Sequence, residues 1–189
     1  MKKLIGLSGS LRQHSFNSSL LRAAVELMPQ GAEMTFGSIR DIPLYDGDVE
    51  DAQGVPPPAQ VLKDAIAVAD GLLLVTPEYN NSIPGVFKNA IDWLSRPPAD
   101  IPRVFGGKPV AIIGATPGGF GTILSQEAWL PVLRTLGTRP WFRGRLLVSR
   151  AASAFDENGR IVSDATKGQL RQFIEGFVAF IRSISQPQV

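Results

Sequence analysis

Short apolar runs alternate with stretches of helical period along the whole chain, and this alternation limits the fold more than any other feature. Residues 4–7 form a short strand-like run, and Leu20, Leu21, Ala24, Val25 and Met28 then repeat at one, three and four residues, as one face of a helix does. A second strand is expected at 34–39, followed by a Pro- and Asp-rich loop through Pro58. Val61, Leu62, Ala65, Ile66 and Ala69 mark the next helix. Residues 71–76 are apolar almost throughout, as parallel strands covered on both faces tend to be. Pro84 suits a helix start, and Val86, Phe87, Ala90, Ile91 and Leu94 follow it. The fourth strand is read at 109–114, a helix at 122–136 and the fifth strand near 144–149. The last helix carries one continuous stripe: Leu170, Phe173, Ile174, Phe177, Val178, Ile181 and Ile184.

Five strands separated by helices imply an α/β fold, a parallel sheet with right-handed crossovers and helices on both faces. Of the doubly wound orders, the five-stranded flavodoxin-like order 2-1-3-4-5 fits the count. It sets the loops after strands one, three and four side by side, with the topological switch point between one and three. A ligand site is expected there. At 189 residues the chain fits a single domain, 1–189, and no apolar stretch approaches the roughly 20 residues that span a bilayer. Met1-Lys2-Lys3 starts like a signal peptide, but the apolar run ends at Ser8, so a first strand and a cytoplasmic location are expected.

Cysteine is absent and His14 is the lone histidine, which removes thiolate chemistry, disulfides and the usual zinc sites. Net charge is +2 without a dense Lys/Arg run, so no nucleic-acid partner is indicated. Redox chemistry on such a chain must come from a bound cofactor.

The first of the three loops reads Ser8-Gly9-Ser10-Leu11-Arg12-Gln13-His14-Ser15-Phe16-Asn17. It combines hydroxyls, an amide, a guanidinium and the free N–H groups of a helix start, the donor set that a phosphate dianion requires. One helix cap needs one Ser or Asn; Ser8, Ser10, Arg12, Ser15 and Asn17 together exceed that need. Neither a G-x-x-x-x-G-K-[ST] loop nor a G-x-G-x-x-G fingerprint is present. The other loops, Thr76-Pro77-Glu78-Tyr79-Asn80-Asn81-Ser82 and Thr116-Pro117-Gly118-Gly119-Phe120-Gly121-Thr122, are turn-rich, and their glycines let a flat ring approach the backbone.

Gly9-Ser10-Leu11-Arg12 with Ser15 and Asn17, then Pro77-Glu78-Tyr79-Asn80 with Ser82, Pro84-Gly85 and Lys88-Asn89-Ala90-Ile91-Asp92-Trp93, resemble the NAD(P)H-dependent FMN reductases, a family that includes bacterial quinone and chromate reductases and azoreductase-like relatives. The resemblance spans nearly the whole chain. It implies that Ser10, Arg12, Ser15 and Asn17 surround the FMN phosphate, and that Pro77, Glu78, Tyr79, Asn80 and Ser82 line the isoalloxazine ring and ribityl chain. It further implies that Thr116, Pro117, Gly118, Gly119 and Gly121 embrace the other side of the ring. Asn81, where tyrosine is frequent, and the Gly121-Thr122 pair depart from the family pattern where the acceptor would bind. A homodimer or homotetramer is also expected by resemblance.

The implied activity moves electrons from NADPH or NADH through FMN to a small acceptor (a quinone, a chromate-like oxyanion, an azo compound or free flavin) by ping-pong kinetics. No catalytic or metal-ligating side chain is assigned, because the cofactor carries the chemistry. A flavodoxin-type electron carrier docking a protein partner is the alternative, although such carriers are usually acidic; a flavin-free module on the same fold is a third reading. Several residues are read as structural: Lys88 and Asp92 as an exposed helical pair, Phe87 and Trp93 as core or interface, His14 as a loop residue. Arg134, Arg139, Arg143, Arg145 and Arg150 are read as a basic surface or interface rather than as a grip on NADPH.

Overall fold

In the computed structural model, which describes residues 1–184, the alternation becomes β1 (Lys2–Ser8), α1 (Phe16–Glu26), β2 (Ala32–Gly37), α2 (Gly47–Gln53), α3 (Pro57–Val68), β3 (Gly71–Val75) and α4 (Gly85–Leu94). The chain continues through α5 (Ile101–Val104), β4 (Pro109–Ala115), α6 (Ile123–Thr135), β5 (Arg139–Pro140), β6 (Leu146–Val148), α7 (Ala151–Ala154) and α8 (Asp164–Ile184). The end of the expected 1–189 domain, residues 185–189, lies outside the described residues.

Among the described residues the strands pair in parallel, in the order β2-β1-β3-β4-β5. Every residue of β3 is buried, which explains why that strand shows no polar alternation. One apolar layer forms where α1 and α8 cover the sheet, with Leu20, Leu21, Ala24, Phe173, Ile174, Phe177 and Val178 packed on Leu4, Leu73 and Ile113. On the opposite face α3, α4 and α6 contribute Leu62, Ile66, Phe87, Ile91, Trp129 and Leu133 against Leu7, Leu72 and Val110. Phe87 and Trp129 meet edge to face at 4.9 Å, and Trp93 packs against Tyr45 at 5.0 Å, so the core reading of Phe87 and Trp93 holds. Lys88 and Asp92 form the expected exposed pair, at 2.6 Å.

Three expectations are corrected. The second strand begins and ends two residues earlier than read, because Lys2–Leu7 pair in register with Ala32–Gly37 and Ile39 reaches the core from the loop beyond. The Pro- and Asp-rich loop contains α2, which buries no residue and so leaves no apolar period to read. It is held instead by its Asp46 cap, which accepts from Asp48 N at 2.9 Å, and by Glu50, which takes hydrogen bonds from Tyr45 Oη and Arg96 Nε.

The fifth strand is split: β5 pairs the start of β4 and β6 pairs its end. Trp141 N still donates to Val110 O of β4 at 2.8 Å while its ring packs on Phe173 and Phe177 of α8, at 4.9 and 5.8 Å, and the chain leaves the sheet after it.

Candidate functional site

The loops 9–15, 76–84 and 116–122 leave the carboxyl ends of β1, β3 and β4, which are neighbours in the sheet. In the first loop Gly9 N donates to Val75 O at 2.9 Å, and a Cβ at Gly9 would lie 2.2 Å from the Phe87 ring, so only glycine lets the loop press onto α4. Ser15 caps α1, its hydroxyl accepting from Asn17 N and Ser18 N at 3.2 and 3.3 Å. Asn17, 3% exposed, spends its whole amide on one residue: Nδ2 donates to Ala115 O at 2.8 Å, and Oδ1 accepts from Ala115 N at 2.9 Å. It therefore clamps the first turn of α1 to the end of β4.

What the loop leaves unused is as informative. The Arg12 guanidinium is exposed and has no hydrogen bond or ion pair among the described residues, where the backbone N–H groups of Gln13, His14, Ser15 and Phe16 are also without acceptors. No acidic residue occupies the first turn of α1. An exposed cation and a run of bare donors at a positive helix end are the kind of groups that attract an anion, and Ser10, whose hydroxyl accepts from Arg12 N at 3.3 Å, belongs to the same loop.

The second loop is fastened at its base by Thr76, whose hydroxyl shares hydrogen bonds with Pro77 O, Ser125 Oγ and Trp129 Nε1. Glu78 reaches across to α6 and accepts from Leu124 N and Ser125 N at 2.8 and 3.0 Å. Because Thr122, the residue before α6, makes no side-chain cap, Glu78 serves as the cap from another loop. Tyr79 and Ser82 exchange both backbone hydrogen bonds around Asn80 and Asn81, whose φ values of +50° and +61° match a primed two-residue turn. Asparagine is among the few residues that adopt this conformation readily, which accounts for Asn81.

The third loop is braced from behind: Thr116 N donates to Val148 O, Ala151 N to Thr116 O and Arg150 N to Gly118 O. At Gly114, beneath it, a Cβ would fall 2.2 Å from Thr76 O and 2.0 Å from Thr122 Oγ1, so the loops over β3 and β4 touch there. Gly118 and Gly119 differ. A Cβ at Gly119 meets nothing within 4 Å, one at Gly118 meets only Thr116 Oγ1 at 3.8 Å, and neither has positive φ. Among the described residues nothing demands glycine at either position.

Each loop also exposes one large apolar side chain, Leu11, Tyr79 or Phe120, the last 82% exposed. Leu11 and Phe120 were not among the residues singled out from sequence. Phe120 carried one signal, an apolar residue set among glycines in a turn. His14 sits on the outer side, lining a separate cavity of about 330 Å³ with Phe16 and Phe155. Among the described residues no group of three or more His, Asp or Glu is placed to hold a metal, and no helix is long and apolar enough to cross a membrane.

The sheet order defines a flavodoxin-like fold, with three loops open at its switch point. Comparison with known proteins agrees. Residues 2–153 match the family model described as NADPH-dependent FMN reductase. A Pseudomonas aeruginosa protein named NAD(P)H-dependent FMN reductase is 41% identical over 182 residues, covering 96% of each chain. A 2-hydroxy-1,4-benzoquinone reductase from a Burkholderia species is 41% identical over 180 residues, 95% of this chain and 96% of its own. The solved structure of FerB, a flavoenzyme NAD(P)H:(acceptor) oxidoreductase from Paracoccus denitrificans, superposes with a TM-score of 0.86 at 33% identity, covering 97% of this chain and 98% of that one.

The chain belongs to the NADPH-dependent FMN reductase family. It is an oxidoreductase with FMN as cofactor and a reduced nicotinamide nucleotide and small molecules as substrates.

Proposed function

We propose that the chain is a quinone reductase of this family, with the FMN phosphate at the first loop and the ring between the second and third. The partnerless Arg12 guanidinium beside bare N–H groups carries this reading. Arg12, Ser10 and the amides of residues 13–16 hold the phosphate. Ser15 and Asn17, engaged within the protein, shape that loop instead, which refines the roles implied by resemblance. Pro77, Tyr79, Asn80 and Ser82 form one wall and Thr116, Pro117, Gly118 and Gly119 the other, with Glu78 setting their separation through α6.

When bound, FMN supplies the two-electron exchange, accepting hydride from the nicotinamide and passing both electrons to the acceptor. The protein contributes binding, orientation and an open face that the two substrates occupy in turn. Leu11, Tyr79 and Phe120 give that face an apolar rim, which favours a quinone over a hydrated oxyanion such as chromate. Relatives named as quinone reductases support the same reading. The enzyme works as a single cytoplasmic domain and as a homodimer or homotetramer, for which exposed Val86, Leu124 and Leu130 on α4 and α6 supply apolar contact surface.

Steady-state kinetics test the reading: with NADPH and benzoquinone varied together, reciprocal plots are expected to be parallel. Benzoquinone should exceed chromate in kcat/KM. Intersecting lines would exclude the shared face, and a preference for chromate would overturn the acceptor assignment.

A further inference from the structure

We propose that the cavity between the end of β2 and the first loop receives the 2′-phosphoadenosine end of NADPH, making the chain selective for NADPH over NADH. The inference rests on the reductase reading and deepens it. The cavity, about 220 Å³, lies at the strand end next to the first loop and has no carboxylate in its lining.

Arg40 Nη2 donates to Leu11 O at 2.7 Å, and the rest of its guanidinium has no acceptor among the described residues. Ser38, whose hydroxyl accepts from the Arg40 backbone N at 3.1 Å, lines the same cavity. The lining also includes Ser8 and Ser18, whose hydroxyls lie 3.0 Å apart. A guanidinium among hydroxyls recognises a phosphomonoester, because its planar donors meet two phosphate oxygens at once.

Phe36, 56% exposed on the edge strand, shares the lining with Leu21, Arg22 and the first-loop residues Ser10 and Leu11, and offers a ring on which a nucleobase can stack. A phosphomonoester beside a base is what distinguishes NADPH from NADH. The group following the second strand makes the same distinction in dinucleotide-binding doubly wound folds, where an arginine accommodates the 2′-phosphate. The reach is also suitable. β2 is two strands from β3 and three from β4, so the cavity lies roughly 10–14 Å along the sheet from the loops assigned to the ring. An extended dinucleotide bridges such a span. The arginines near β5 and β6 occupy the opposite sheet edge, where Arg143 and Arg145 line a different groove against α8.

The test is calorimetric titration of FMN-loaded protein with adenosine 2′,5′-bisphosphate, 5′-AMP and inorganic phosphate. The bisphosphate is expected to bind at least 10-fold more tightly than 5′-AMP, and Arg40→Ala to remove about 10- to 100-fold of its affinity. In parallel, the ratio of kcat/KM for NADPH to that for NADH should fall by a similar factor, with Arg40→Lys recovering part of it and Phe36→Ala weakening both adenosine nucleotides. Equal affinities for bisphosphate and 5′-AMP, or a selectivity ratio that Arg40→Ala leaves in place, would overturn the proposal. Inorganic phosphate binding as tightly as the bisphosphate would also overturn it, by showing a phosphate site without nucleoside recognition. A chain that bound no flavin would instead defeat the reductase reading, and the bisphosphate isotherm of the apo protein would still decide this one.

Discussion

Asn17 shows how much one side chain can organise. Its buried amide satisfies both backbone groups of Ala115, and no water-exposed alternative exists for either. Asn17→Ala strands a donor and an acceptor, each at about 1–3 kcal/mol, so chemical denaturation should show a loss of about 2–6 kcal/mol. A loss below 0.5 kcal/mol would mean that the clamp is dispensable. At this scale the sequence displayed the residue types but not their allocation. The pattern of Ser15 and Asn17 fits phosphate ligands and internal fasteners equally, and only the positions of Ala115 and the Ser18 amide, distant or backbone features without a sequence signature, separate the two. Arg12 was legible because an arginine in a short loop with no nearby carboxylate has little else to do.

At the scale of elements, the strands and long helices were readable because each buries a face large enough to impose a period, as α8 does with its stripe from Leu170 to Ile181. Elements without a long apolar period were not: α2 is held by a cap and an ion pair, and β5 and β6 are too short, at two and three residues, to show one. The joint between the second loop and α6 was equally invisible, since nothing near Thr122 announces that Glu78 will cap the helix. Glu78→Ala removes an acceptor for two N–H groups at a positive helix end, at about 1–2 kcal/mol. The faster amide exchange that follows should be confined to Leu124 and Ser125, measured by hydrogen exchange, with α4 unaffected. Unaltered protection at those two amides would show that α6 is capped some other way.

Across the whole molecule, charge pairing concentrates on the face built from α2, α3, α5 and the turn before α5. An Arg96 hydrogen bond, then one from Tyr45, holds the Glu50 carboxyl below its ordinary range. Asp100 is lowered by Lys63 and Arg103, and Asp64 by Gln60 and Arg103. Lys63 is fully buried beneath this network, paired with Asp100 at 2.7 Å. Carboxylates whose folded pKa lies below the unfolded one stabilise the fold above the ordinary carboxylate range, and that contribution disappears as pH falls through the folded values. The melting temperature should therefore be flat near neutrality and drop below about pH 4, with Glu50→Gln flattening the acid limb. An acid limb identical in the variant and the parent would remove Glu50 from this account.

Above these scales stands the claim that an anion receptor at the start of α1 holds the flavin by its phosphate. Titrating the apo protein with FMN and with riboflavin, which lacks the phosphate, tests it most directly. FMN should bind the parent far more tightly than riboflavin, and Arg12→Ala should lose about 1.5–3 kcal/mol, or 10- to 150-fold, of FMN affinity while riboflavin binding stays nearly constant. Equal affinities for the two flavins in the parent, or an FMN dissociation constant that Arg12→Ala does not move, would contradict it.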